Sequence, residues 1–119
     1  MPNKHEGRDL ASLANKTLEE IDGQRWPVAC CVSYIEATTT ALRRKPLGQF
    51  TTEDLRIMIA QDIGADVLKP FALNVLRQDP LAEGDYYPGD LLEAAAKRWP
   101  LDAELQEMAK NHDKGAFGT

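Results

Sequence analysis

Residues 80–92 read PLAEGDYYPGDLL: three carboxylates, two adjacent tyrosines, two prolines and two glycines. Carboxylates at this density could ligate calcium, share a proton for acid–base work, or present an anionic face to a cationic partner. The calcium reading fails on spacing. With Asp79 as the first position of an EF-hand loop, Gly84 falls sixth, Asp85 seventh and Asp90 twelfth. The third position is then Leu81, which offers no oxygen ligand, and the twelfth calls for the longer, bidentate Glu. Acid–base work by Glu83, Asp85 and Asp90 needs a cleft that nothing in the sequence announces, and such triplets are ordinarily solvated turn residues. Neither a metal nor another cofactor is expected. Charge remains. From Asp79 to Ala96 the chain carries Asp79, Glu83, Asp85, Asp90 and Glu93, with no Lys or Arg before Lys97. The other 14 acids face 14 Lys and Arg, so this one segment accounts for the formal net charge of -5. An anionic protein repels nucleic acid over most of its surface and attracts basic partners.

The remaining candidates for chemistry are weak. A nucleophile needs a base within hydrogen-bond reach, usually histidine. His5 and His112 both lie in polar terminal segments. Ser12 and Ser33 sit in no G-x-S-x-G elbow, and the chain has no P-loop, G-x-G-x-x-G or H-E-x-x-H. Cys30 and Cys31 are adjacent, which disfavours a disulfide between them and fits small reduced thiols on a helix core face. Arg43, Arg44 and Lys45 form a basic triplet without interleaved aromatics, enough for only a few phosphate contacts. These residues read as cations complementing a helix C-terminus before Pro46. The chain is therefore not expected to be an enzyme.

Positioning these residues falls to helices. Length predicts one domain, with a tail at 1–8, a helical region over 9–112 and a second tail at 113–119. After Asp9, a good N-cap, Leu10, Leu13, Ala14, Leu18 and Ile21 recur at helical spacing up to Gly23. Thr17 and Glu20 also form a capping box, so ordered helix starts at either place. Val28, Cys31, Val32, Ile35 and Leu42 keep the helical period despite several β-branched residues. A second capping box, Thr51 with Asp54, opens a helix carrying Leu55, Met58 and Ile59, with Gly64 after it. The run from Val67 to Leu76 places Pro70 either inside the first turns or at a restart. Pro88 suits a first helical position, Asp90 the first turn, and Leu91, Leu92, Ala95, Ala96 and Trp99 a buried face. Leu81 is expected in the core with Leu91 and Leu92. Asp102 can cap a last helix with Leu101, Leu105, Met108 and Ala109 on one side. No segment alternates with period two for long. The predicted fold is all-α, a compact single-domain bundle of about five or six short helices. No apolar run approaches the ~18 residues of a membrane span, and the polar N-terminus lacks a signal sequence, so the expected location is cytoplasmic.

Three stretches carry a resemblance: TLEEIDGQRWP at 17–27, LRRKPLGQFTTEDLRIMIAQDIGADVLKPFALNVL at 42–76 and DPLAEGDYYPGDLL at 79–92. Together they resemble contact-dependent growth inhibition (CDI) immunity proteins of the CdiI type. The resemblance implies function by binding: neutralisation of a cognate toxin C-terminal domain, many such toxins being nucleases. A nuclease holding phosphate has a basic active face, which an acidic inhibitor complements. No catalytic residue is implied. The toxin-facing candidates are Asp79, Glu83, Asp85 and Asp90, and the same segment reads equally as turn architecture. The alternative is a small all-α regulator that binds nucleic acid through Arg43, Arg44 and Lys45, or another protein.

Overall fold

The computed structural model describes residues 10–26 and 33–116. The expectations placed on His5, Asp9, Val28, Cys30, Cys31, Val32, the tail at 1–8 and residues 117–119 lie outside the described residues, as does the side chain of His112. Among the described residues the fold is all-α. Its helices are α1 (Leu10–Ala14), α2 (Leu18–Asp22), α3 (Tyr34–Leu42), α4 (Thr52–Ala60), α5 (Ala65–Gln78), α6 (Asp90–Arg98) and α7 (Ala103–Ala116), with one 3-10 turn at Leu47–Gln49. The chain divides into two compact units, Met1–Phe50 and Thr51–Thr119.

In the first unit, local hydrogen bonds decide where helices start. Thr17 Oγ1 accepts the Glu20 N–H and the Glu20 carboxylate accepts the Thr17 N–H, so α2 begins after the capping box and is separate from α1. A box of the same kind, Ser33 with Glu36, starts α3 at Tyr34. The S-x-x-E pattern that makes this box is present in the sequence, but the longer apolar period over 28–42 obscures it. Gly23 ends α2 in the left-handed region, where a side chain would be strained. The 3-10 turn packs on α1 through Gly48, where an added Cβ would lie 2.7 Å from the Ala14 Cβ. Leu18, Leu42 and Leu47 are buried.

The basic triplet is not merely a set of helix-end cations. Arg43, only 2% exposed, makes a bidentate pair with Asp22 at 2.8 and 3.0 Å and also donates to the Gln24 carbonyl. Its guanidinium lies 4.5 Å from the centroid of the Trp26 ring. Arg44 donates to Glu19 at 2.8 Å and to the Trp26 carbonyl at 2.5 Å. These bonds tie the end of α3 to α2 and the connector that follows it. Planar, multi-donor guanidinium suits such a clamp, and lysine would not replace it.

In the second unit, α4 packs against α6 and α5, and α7 against α6. The expected Thr51–Asp54 box starts α4, which buries Leu55, Ile57, Met58 and Ile59. Its end departs from expectation: Asp62 takes a left-handed φ of 58°, and Gly64, at 62°, becomes the N-cap of α5. Pro70 lies inside α5, on an exposed position. Leu68, Ala72 and Leu76 are buried, as are Leu91, Leu92 and Ala95 of α6. Pro88 is not the first residue of α6. Gly89, at φ 89°, is the N-cap, and Asp90 is the first helical residue. Leu81 is only half-buried, while the neighbouring Ala82 is buried. Asp102 caps α7 as expected, its Oδ1 accepting the Leu105 N–H at 2.9 Å. Leu105 is buried, but Leu101 precedes the helix and is 96% exposed, so it does not join that face.

The Arg43 clamp predicts an asymmetry. Asp22→Ala strands a buried guanidinium and should cost about 2–3 kcal/mol, whereas Arg43→Met keeps bulk without charge and should cost about 1 kcal/mol. Urea denaturation of both variants measures it; equal costs would mean that the ion pair does not organise this end of α3.

Candidate functional site

The acidic segment between α5 and α6 is a closed loop rather than an open acidic strand. Asp79 ends α5, and its Oδ1 accepts the Leu81 N–H at 3.1 Å, turning the chain. Glu83 and Pro88 then face each other in an isolated antiparallel bridge, and the Gly89 N–H reaches back to the Leu81 carbonyl at 3.2 Å. The bridge leaves Gly84, Asp85, Tyr86 and Tyr87 as the tip.

Three successive backbone N–H groups of that tip bind carboxylates. Gly84 donates to Asp90 Oδ1 at 2.7 Å, Asp85 to Glu53 Oε1 at 2.9 Å, and Tyr86 to Asp90 Oδ2 at 3.1 Å. One acceptor opens α6 and the other belongs to the first turn of α4. Arg56, a turn further along α4, lies against both: it holds Glu53 with bonds of 2.7 and 2.5 Å, and its Nε lies 3.8 Å from Asp90 Oδ2. Its guanidinium also lies 4.6 Å from the centroid of the Tyr86 ring. Gly84 has to be glycine. An added Cβ would lie 2.5 Å from Glu53 Oε1 and 3.0 Å from Asp90 Oδ2, and Glu53 cannot swing aside without releasing Arg56 and the Asp85 N–H.

This arrangement separates the four acidic candidates. Asp90 is 3% exposed and turned inward, so it serves the loop and does not form part of its outer surface. A helix-dipole role alone understates what its carboxylate does. Asp79, Glu83 and Asp85 are exposed, and among the described residues none of their carboxylates is ion-paired. Glu93 is different again, 3.5 Å from Lys97 and hydrogen-bonded by the Tyr87 hydroxyl. The segment does have a cation, supplied from α4 by Arg56. Tyr86 is 68% exposed and Tyr87 40%. The sequence reading missed Glu53 and Arg56, although their i,i+3 spacing was there to be seen. What it could not give is the contact between positions 53 and 85.

Among the described residues no three of His, Cys, Asp and Glu are grouped to hold a metal ion. No helix among them is long and apolar enough to cross a membrane. Arg43 and Arg44, the nucleic-acid candidates, are engaged by Asp22 and Glu19, and Lys45 is also engaged within the chain.

The Glu53 carboxyl is held below its ordinary value of 4.5, chiefly by the Arg56 hydrogen bonds and further by the Asp85 N–H, against the opposing effect of partial burial. A depressed folded-state value stabilises the fold fully above the ordinary value, and that contribution disappears as pH falls through the lower folded one. Glu53→Gln should therefore be less stable than the parent at neutral pH and lose less on acidification below 4.5. Asp90→Asn removes the charge facing Arg56 and puts an NH₂ where two N–H donors converge. It should cost about 2–4 kcal/mol, more than the ~0.3–1 kcal/mol of a helix-dipole effect alone. Urea titrations of both variants at two pH values check these expectations.

The latched acidic loop lies within the part of the chain that a known family shares. The sequence pattern of the CDI immunity proteins matches residues 11–110, which takes in every helix from α2 to α6 and the whole of the loop. No curated protein and no solved structure matches the chain. A match over 11–110 of 119 residues shows that the chain belongs to the CDI immunity protein family, whose members protect against a CDI toxin.

Proposed function

We propose that this protein neutralises its cognate toxin C-terminal domain by stoichiometric, non-catalytic binding in the cytoplasm, that the toxin is a nuclease with a basic active face, and that Asp79, Glu83 and Asp85 face it. The family match supports the immunity role. The observation that carries the binding surface is the division of labour in the loop: Asp90 and Glu53 face inward with Arg56 between them, leaving three unpaired carboxylates on the outside. Among the described residues no Lys or Arg is ion-paired with those outward charges, and Arg56, the cation at the loop, is engaged by Glu53 and Asp90. Long-range attraction to a basic surface therefore survives, and it speeds encounter more than it tightens the final complex. An interface of standard size, ~1,600 Å² in total, extends well beyond one loop. Asp90 belongs to this surface only through the shape it gives the loop.

The regulator alternative needs free cations, yet Arg43 is buried on Asp22 and Arg44 is paired with Glu19. A gel shift with duplex DNA and RNA at low salt should show no retardation. Tight, salt-dependent retardation lost on neutralising Arg43, Arg44 and Lys45 would reverse the order of the two readings.

Co-expression with the toxin domain of the same locus should rescue growth, and equal killing with and without this protein refutes the immunity role. For the surface, Glu83→Gln combined with Asp85→Asn should slow association and flatten its dependence on salt, leaving thermal stability unchanged. If rate and salt slope match the parent, these carboxylates do not steer the encounter.

A further inference from the structure

The same loop carries a side chain that charge does not explain. Tyr86 is 68% exposed, on a tip whose backbone is fixed at three successive N–H groups. A large ring on a rigid loop is costly to leave in water and cheap to bury in a complex, because little conformational freedom remains to be lost on binding. Tyr87 differs: its hydroxyl is committed to Glu93, and it is the less exposed of the two. Tyr86 already has one cation over its ring, Arg56 at 4.6 Å, and it is flanked in the chain by Asp85 and Tyr87.

We propose that Tyr86 is the anchor of the toxin contact, inserted into a recess on a basic partner where Arg or Lys side chains meet the ring and the neighbouring Glu83 and Asp85 carboxylates. This inference rests on the binding function proposed above and names the residue on which the affinity depends. The charge on the loop selects the occupant. A two-fold contact between copies of this chain, centred on Tyr86, would bring Glu83 and Asp85 of one copy towards the same acids of the other. A purely apolar partner would leave those carboxylates beside the contact with no complementary charge to draw it in. A cationic partner satisfies carboxylates and ring together, since the face of an aromatic ring attracts ammonium and guanidinium groups. Carboxylates and ring then divide the work. Exposed charges at a rim set the rate of encounter, and a desolvated aromatic anchor sets how long the complex lasts.

The experiment is calorimetric titration of the full chain with the purified toxin domain of the same locus, alongside urea denaturation of every variant. Tyr86→Ala should weaken the complex by about 30-fold or more, the loss that marks an interface hot spot. Tyr86→Phe keeps the ring and should bind within about threefold of the parent. Tyr86→Leu keeps bulk beside Arg56 without an aromatic face and should fall between Phe and Ala, so a general loosening of the loop is separated from loss of the ring. Glu83→Gln with Asp85→Asn should change affinity by less than about fivefold. Binding of Tyr86→Ala within about threefold of the parent would overturn the proposal while leaving the immunity reading intact. A parent protein that does not bind the toxin domain would refute that reading and this one with it. Sedimentation of the free chain adds one more arm: if Tyr86→Ala turned a dimer into a monomer without affecting toxin affinity, the ring would belong to self-association and the proposal would be wrong.

Discussion

The loop between α5 and α6 depends on a single guanidinium. Arg56 lies between the carboxylates of Glu53 and Asp90, and those two carboxylates take up three consecutive N–H groups of the tip. Two anions converging under a loop would repel each other, and a cation placed against both offsets much of that cost. Without Arg56, Asp90 would be a buried charge with no counterion, the kind of group proteins rarely tolerate. The remaining features follow from this contact. Gly84 is required because the carboxylates occupy the space of a Cβ, and Tyr86 lies over Arg56 because its own N–H is held by Asp90.

The first unit uses the same chemistry for a different purpose. Arg43 and Arg44 bind Asp22, Glu19 and two connector carbonyls, fixing α3 against α2. There the arginines order helices; in the loop, Arg56 orders a turn. The helices of the first unit bury few side chains and are held by charged side chains with several directed bonds each, whereas α4 and α6 already bury an apolar face and Arg56 fixes the loop beside them. These pairs are screened unequally. Arg43 is almost fully buried, so salt should screen its pair less even though Asp22 is 44% exposed, whereas Arg77 with Glu104, at 2.7 and 2.8 Å, is solvent-exposed and should contribute little to stability.

Most helices and several caps were legible in the sequence because they depend on neighbours within four residues, although the Ser33–Glu36 box and the Gly64 and Gly89 caps were not read. The Thr17–Glu20 and Thr51–Asp54 boxes, the Asp102 cap and the buried face of Leu91, Leu92 and Ala95 could all be read from local spacing. Local reading failed where a long-range partner decides. Charge counting along 79–96 treats Asp90 as one more surface acid, and only the contact with α4 shows that it is buried beside Arg56. The basic triplet misled for the same reason: its partners lie 21 and 25 residues away. Leu101 shows the opposite error. Its hydrophobicity fits a helical face, but Asp102 caps the helix one residue later and leaves Leu101 outside. The acids of the loop were identified from sequence as a candidate surface; which of them point outward, and how exposed Tyr86 is, were not.

The chain contains three tyrosines, and two of them are the most useful reporters of where a toxin sits. Tyr86 on the loop tip is 68% exposed, and Tyr34 at the start of α3 is 75% exposed. Hydroxyl-radical footprinting of the chain, alone and saturated with the toxin domain, reads both side chains in one sample. Burial of the loop in the complex predicts strong protection of Tyr86, whether or not the wider interface also covers Tyr34. Protection of Tyr34 with Tyr86 still fully oxidised would place the toxin elsewhere and contradict the account.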